Sequence, residues 1–377
     1  MGTWMQRAAQ GWLVYELTDR ALYLGIVAAC GTVPMLILSL PAGVLADRLP
    51  KRNILLVTQS LAMAQAFVLA ALIYTETVRV WHVMVMAAFL GTVWAFDMPT
   101  RHAMVLELVS KDDALNAVGL NSSAFMTGRI IGPALGGLLI ETAGLAICFF
   151  INGITFLGII VALLLIGSIR TGSAASSPML TQIGEGVRWA RHNAVAFVLL
   201  ALITVASLYG LSYVVLLPVF ARDTFRAGPI GLGFMMTAYA VGGLTATAVL
   251  TTVGHRWPMG RLTTIGSFVF PIALALLALA PSYAFGIAAL SIAGFGMMMF
   301  NVTANTMLQK MSPDELRGRV MSLRSFLFAG MSWLGDLQIS ALAEWFNERA
   351  AVVIGAGICL AAAISAWSRV PQLRSSE

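Results

Sequence analysis

Twelve apolar runs divide this chain, at about 1–18, 21–46, 53–74, 81–106, 114–140, 145–167, 196–220, 230–252, 260–280, 283–308, 316–342 and 350–368. Nearly all reach the roughly 20 residues that an α-helix needs to cross a ~30 Å hydrocarbon core. Inside that core no water is available to backbone N–H and C=O groups, so segments of this length are restricted to helices. The composition agrees. Of 377 residues 59% are hydrophobic and 11% charged, against about 25% charged in ordinary soluble domains, which excludes a soluble globular enzyme. The sequence therefore predicts an all-α integral membrane protein.

The charges fix its orientation. With the connection at Asp47–Arg52 inside, fourteen of the 23 Lys and Arg fall in cytoplasmic connections. Five face outward (Arg20, Arg79, Arg222, Arg226 and Arg349), and Arg7, Arg101, Arg129 and Arg324 lie within or near the ends of runs. The inward excess puts both termini in the cytoplasm and accounts for the net charge of +6 without nucleic acid. Cys30, Cys148 and Cys359 all lie inside apolar runs at spacings that suit neither a disulfide framework nor a metal site. No phosphate-binding loop, zinc-protease or nucleophile-elbow motif occurs, so no cofactor is implied and ATP-driven transport lacks its engine.

The chain repeats. Ser110-Lys111-Asp112-Asp113 is answered 202 residues later by Ser312-Pro313-Asp314-Glu315. Each reads as an N-cap serine with an acid three residues on, with Pro313 at the first helical position. Arg48-Leu49-Pro50 is answered by Arg256-Trp257-Pro258, and Leu24-Gly25 by Leu232-Gly233, both at an offset of 208. Six helices followed by six in the same sense form a parallel repeat. The expected organisation is a six-helix bundle at 1–167, a cytoplasmic linker at 168–195, a second bundle at 196–368 and a tail at 369–377. Within the linker Leu180, Ile183, Val187 and Ala190 recur at helical spacing opposite Glu185, Arg188 and Arg191, which predicts an amphipathic helix. In the repeat register Met1 faces Tyr209, whereas the seventh run begins near Ala196. The first helix is thus expected to be truncated by about a dozen residues relative to a full span of ~20.

Four stretches carry a resemblance. Gly43-Val44-Leu45-Ala46-Asp47-Arg48-Leu49-Pro50-Lys51-Arg52 resembles the signature loop between the second and third helices of major facilitator superfamily transporters, with Pro50 where the pattern has a glycine. Gly128-Arg129-Ile130-Ile131-Gly132-Pro133-Ala134-Leu135-Gly136-Gly137 resembles the Gly-x-x-x-Gly-Pro-x-x-Gly-Gly pattern of the exporter branch. Its glycines Gly128, Gly132, Gly136 and Gly137 form a groove for another helix, and Pro133 bends its own. Segments such as Gln10-Gly11-Trp12-Leu13-Val14-Tyr15-Glu16-Leu17 and Pro313-Asp314-Glu315-Leu316-Arg317-Gly318-Arg319-Val320 look like the bacterial family that includes the enterobactin exporter. The resemblance implies a twelve-helix major facilitator fold in the inner membrane. It also implies export of siderophores, drugs or other amphipathic metabolites, with proton coupling and alternating access of the two bundles. Gly43, Asp47, Arg48, Lys51 and Arg52 would form a cytoplasmic gate.

Ionisable groups inside a bilayer are costly and so mark function. The helices at 53–74, 145–167, 260–280 and 350–368 carry none in their interiors, as the superfamily plan implies for its four lipid-facing helices. Asp97 and Arg101 stand one helical turn apart and read either as a structural bridge or as a proton site. Asp336 has no partner in its own helix, and reads as a proton carrier or as a counter-ion for Arg129 or Arg7. Gln6, Arg7, Gln10, Arg129, Asn301 and Asn305 read as walls of a substrate cavity, with helix–helix hydrogen bonding as the rival for the amides. The expected protein is a proton-coupled exporter of small amphipathic molecules, a monomer with a small-molecule substrate, protons and the lipid bilayer as partners. The alternatives are an importer or uniporter of the same fold, a non-transporting sensor or scaffold, and an inactive truncated transporter.

Overall fold

The computed structural model describes residues 1–108, 113–166, 179–252 and 254–369, and all regular structure among them is helical. The first six membrane helices are α1 (Gly2–Thr18), α2 (Ala21–Arg48), α3 (Lys51–Tyr74), α4 (Val80–Glu107), α5 (Ala114–Ala143) and α6 (Leu145–Leu165). A short helix, α7 (Met179–His192), precedes the second set. That set comprises α8 (Ala194–Thr224), α9 (Gly228–Thr252), α10 (Met259–Ala278), α11 (Tyr283–Met311), α12 (Asp314–Trp345) and α13 (Glu348–Arg369). Eleven of the described helices are long and apolar enough to cross a membrane. The exception among the twelve is α1, whose 17 residues rise only ~25 Å at 1.5 Å per residue.

The helices cluster into two units, Met1–Ser176 with Ala227–Phe234, and Ser177–Arg226 with Met235–Glu377. In the first, α2 packs on α4, α3 on α4 and α6, and α1 on α5 and α6. In the second, α10 packs on α11 and α13, and α12 on α8 and α13. Lipid tails are as apolar as leucine, so such packing depends on close van der Waals fit and small residues. Where α2 crosses α4, a Cβ on Gly91 would stand 1.9 Å from the Gly31 carbonyl oxygen. The second unit repeats this device between α9 and α11. A Cβ on Gly242 would stand 1.8 Å from the Ser291 oxygen, and one on Gly294 would stand 2.0 Å from the Tyr239 oxygen.

The connections show how local sequence directs the chain. Between α5 and α6 a single residue, Gly144, makes the turn at φ 85°, a conformation that suits a residue without Cβ. In the first turn of α3, Lys51 is buried and Arg52 reaches the end of α6. Its Nε donates to the Leu163 carbonyl at 2.6 Å and its Nη2 to the Leu164 carbonyl at 3.1 Å. A cation on the last carbonyls of a helix meets the negative end of its dipole. Arg52→Met is therefore expected to lower the thermal midpoint of the purified protein by an amount equivalent to ~1–2 kcal/mol; an unchanged midpoint would refute the cap.

The expected N-cap at Ser312 is corrected. The Ser312 hydroxyl does not cap α12. It donates back to the Leu308 carbonyl at 2.5 Å as α11 ends, and Pro313 takes the N-cap position, with no side-chain cap. The serine lies one residue beyond α11, where the nearest orphan group is a carbonyl and not an amide. Asp314 instead pairs with Arg317 at 2.6 Å. In the matching stretch, Ser110 to Asp112 lie outside the described residues, and Asp113 makes no side-chain cap to α5. The predicted amphipathic helix is α7, which packs against the start of α12. Ala190 on its apolar face is buried, while the side chains of Leu180, Ile183 and Glu185 lie outside the described residues. Asn193 then starts α8, its side chain accepting from the Ala196 amide at 3.0 Å.

Candidate functional site

The glycine ladder of α5 holds α1. Cβ atoms on Gly128, Gly132 and Gly136 would lie 3.1 Å from Met1 N, 2.7 Å from Trp4 Cβ and 3.1 Å from Met5 Cγ. On another side of α5, a Cβ on Gly137 would lie 2.4 Å from the Pro229 oxygen, and Pro133 presents its carbonyl 2.4 Å from the Cβ position of Gly233. Both partners belong to the Ala227–Phe234 segment of the same unit. Seating α1 this deeply brings its side chains onto α4 and α5. The Arg7 guanidinium lies over the rings of Trp4 and Trp94, 4.8 Å from each centroid. Arg129 lies over the same Trp4 ring at 5.5 Å, and Phe125 meets Trp4 edge-on at 5.4 Å.

Gln6, next to Arg7 in sequence, serves a different purpose. Its Nε2 donates to Gln65 Oε1 at 3.2 Å, and its Oε1 accepts from Asn152 Nδ2 at 2.6 Å. Thr155 extends this chain by donating to Asn152 Oδ1 at 3.2 Å. All three amides are buried, so Gln6 links α1 to α3 and α6 and does not line a cavity in this conformation. Gln10, one turn on, is half-buried. One side of α1 is thus a polar seam and another bears the stacked arginine.

Asp97 in α4 is saturated. Its Oδ1 accepts from Thr58 Oγ1 at 3.0 Å and Gln59 Nε2 at 2.5 Å. Its Oδ2 accepts from Arg101 Nε at 3.1 Å and Nη2 at 2.8 Å. This geometry is that of a structural bridge joining α4 to α3. Removing the carboxylate strands the Gln59 amide donor in the packed interior, while Thr58 Oγ1 can still donate to the Leu55 carbonyl at 3.1 Å and Arg101, 40% exposed, retains some solvation. Asp97→Ala is expected to destabilise by about 2–3 kcal/mol, read as a lower thermal midpoint in detergent. A wild-type midpoint would show that these bonds contribute nothing.

In the second unit Asn301 accepts a hydrogen bond at Oδ1 from Arg324 Nη2, and the Arg324 guanidinium also lies over Phe328 at 5.5 Å. Asn305, one turn along α11, is half-buried. Asp336 in α12 hydrogen-bonds the Ser212 side chain of α8. The two helices meet closely there, since a Cβ on Gly335 would lie 2.3 Å from Ser212 Oγ. Both are irregular. α8 has π geometry at Ala206–Gly210 and Phe220–Thr224 with a 3-10 stretch between, and α12 has π geometry at Phe326–Gly330. The π segments touch, with Ser207 Oγ donating to the Phe328 carbonyl at 2.6 Å. Inserted π turns are frequent at functional sites.

Of the residues expected in the connecting loop, Gly43, Asp47 and Arg48 fall within α2, and Lys51 and Arg52 within α3, so only Leu49 and Pro50 join the helices; Gly43 has open space around its Cβ position, and the side chains of Asp47 and Arg48 lie outside the described residues. Trp4, Trp94, Ser207 and Ser212 escaped the sequence reading. Trp4 was accessible in principle, since it stands three residues before Arg7 and so on the same helical face. Trp94 was not, because its meeting with Arg7 depends on how α4 is rotated against α1.

Comparison with known proteins agrees with this architecture. The transmembrane secretion effector family matches residues 1–377. The chain is 28% identical over 352 residues to the staphyloferrin A transporter of Staphylococcus aureus, covering 92% of this chain and 87% of that protein. It is 29% identical over 349 residues to the multidrug efflux pump Tap of Mycolicibacterium fortuitum, covering 88% and 83%. Against macrolide efflux protein A of Streptococcus pyogenes the figures are 25% over 335 residues, covering 87% and 82%. A crystallised peptide transporter in complex with alafosfalin superposes with a TM-score of 0.77 at 11% identity, over 99% of this chain and 93% of that one. At that identity the likeness speaks for the fold alone. An all-helical membrane fold, transporter relatives aligned over most of the chain and a family match over residues 1–377 converge on one assignment: the chain belongs to the transmembrane secretion effector family of major facilitator transporters.

Proposed function

We propose that this transporter exports small amphipathic molecules across a bacterial plasma membrane by proton antiport, as a monomer with both termini in the cytoplasm. Residues 1–167 and 196–368 act as the two halves of an alternating-access cycle. Export is supported by relatives named for multidrug efflux and macrolide efflux, beside one named for staphyloferrin A transport, and orientation by the inward excess of Lys and Arg.

The observation that carries the coupling is the contrast between two carboxylates. Asp97 accepts four hydrogen bonds, two of them from a guanidinium. Asp336 meets a serine hydroxyl. Ser212 Oγ also stands 3.3 Å from the Ser207 carbonyl and 3.4 Å from that of Leu208. A hydroxyl can donate to a carboxylate or accept from a carboxylic acid, so Asp336 can gain and lose a proton without breaking an ion pair. Asp336 takes a proton from outside and releases it inward as substrate leaves, while Asp97 braces the fold.

Everted vesicles test this reading with three probes sharing one fluorophore: dansylglycine (anionic), dansylamide (neutral) and dansylcadaverine (cationic). Energised vesicles should accumulate at least one of them and release protons as they do so. Failure to accumulate any of the three would overturn export, and accumulation insensitive to a protonophore would overturn antiport.

A further inference from the structure

Arg7 is a cation without a counter-ion. Among the described residues no carboxylate pairs with it and none of its N–H groups donates a hydrogen bond; its contacts are the faces of Trp4 and Trp94. Arg129 stands on the same Trp4 ring and within electrostatic reach of Arg7, so two positive charges share one aromatic platform. Arg7 is nonetheless solvent-accessible, whereas Gln6, Ala8 and Ala9 beside it are buried. Exposure of an unpaired guanidinium to lipid is strongly disfavoured, so this accessible surface belongs to a water-filled space. The guanidinium carbon lies over both indole rings, and since no protein acceptor among the described residues takes its five N–H donors, they are left for whatever enters.

We propose that Trp4, Arg7, Trp94 and Arg129 form a binding site for the anionic group of the transported molecule. The substrates are then organic anions with a planar apolar portion. A carboxylate or sulfonate receives in-plane hydrogen bonds from Arg7 and charge from Arg129, while the apolar portion stacks beside Trp94 and Phe125. Lipophilic cations find no equivalent here, because Asp97, three residues from Trp94, is saturated by its own neighbours. This inference rests on the export reading and names the substrate class for it.

The test is binding of the same three dansyl probes to the purified full chain in phosphatidylcholine nanodiscs. It is read as energy transfer from tryptophan to dansyl above that of empty discs. Because a charge-assisted hydrogen bond is worth a tenfold factor or more, dansylglycine should bind about tenfold tighter than dansylamide, with dansylcadaverine weakest. Arg7→Gln should abolish that order and leave dansylamide binding little changed. Arg7→Lys, which keeps the charge and loses the planar, five-donor guanidinium, should keep the order at reduced strength. Equal or tighter binding of the neutral or cationic probe to the wild type overturns the proposal, whether or not Arg7→Gln folds. A folded Arg7→Gln that keeps the full preference overturns it as well. Loss of dansylglycine binding on adding phosphatidylglycerol to the discs would make the occupant a lipid headgroup and overturn the substrate assignment. In vesicles, energised uptake of dansylamide or dansylcadaverine without dansylglycine would overturn the anion class and leave export standing. No uptake of any probe would overturn export, and the binding order would still judge this site.

Discussion

Gly91→Ala and Gly242→Ala should each leave little monodisperse protein after extraction from the membrane. The added methyl group would have to sit 1.9 Å from the Gly31 carbonyl oxygen in one case and 1.8 Å from the Ser291 oxygen in the other. Contact with backbone cannot be relieved by turning a side chain, so α2 and α4, or α9 and α11, must move apart along their crossing. Overpacking in tight interiors costs roughly 1–3 kcal/mol, and separating two helices also forfeits dispersion contacts along both. We expect a loss at or above ~3 kcal/mol, large against the total stability of most folds. Gly119→Ala is the control. Its Cβ position is open, and alanine is favoured over glycine inside a helix by roughly 0.5–1 kcal/mol. Size-exclusion profiles and thermal midpoints of the three variants give the answer. Wild-type behaviour of both crossing variants would mean that the helices do not approach as described.

Asp336→Asn should uncouple the transporter. The amide keeps the size of the side chain and a hydrogen bond to Ser212 but cannot exchange a proton. Substrate-dependent proton release from everted vesicles should vanish, and accumulation against a gradient should fall at least ~100-fold. That corresponds to loss of a coupling free energy near 3 kcal/mol. Equilibrium binding of the dansyl probes should persist, because the residues assigned to them lie in α1, α4 and α5. Asp97→Asn should show the reverse pattern, a lower thermal midpoint with proton release retained. Exchange of these two phenotypes would move the proton carrier to Asp97, and unchanged coupling in both would eliminate the pair.

The sequence by itself determined the helices and the all-α membrane class. Both depend on apolar length and breaker residues, which are properties of consecutive residues. It also located the ionisable groups in the apolar runs, and the pairing of Asp97 with Arg101 followed from their one-turn spacing. The glycine ladder of α5 announced that a helix would lie against it, although not that the helix would be α1. The tertiary structure alone decided which polar groups meet across helices. Gln6 finds Gln65 and Asn152, Asp97 finds Thr58 and Gln59, and Arg7 finds Trp94. These pairings depend on the rotation and depth of each helix, which are set by where glycines let backbones touch. A one-residue shift turns a helix by about 100°, so Gln6 and Arg7, adjacent in the chain, enter different environments. Ser312 makes the same point at a helix end: its spacing to Glu315 suited an N-cap, but the carbonyl left by α11 lay nearer than the amides of α12.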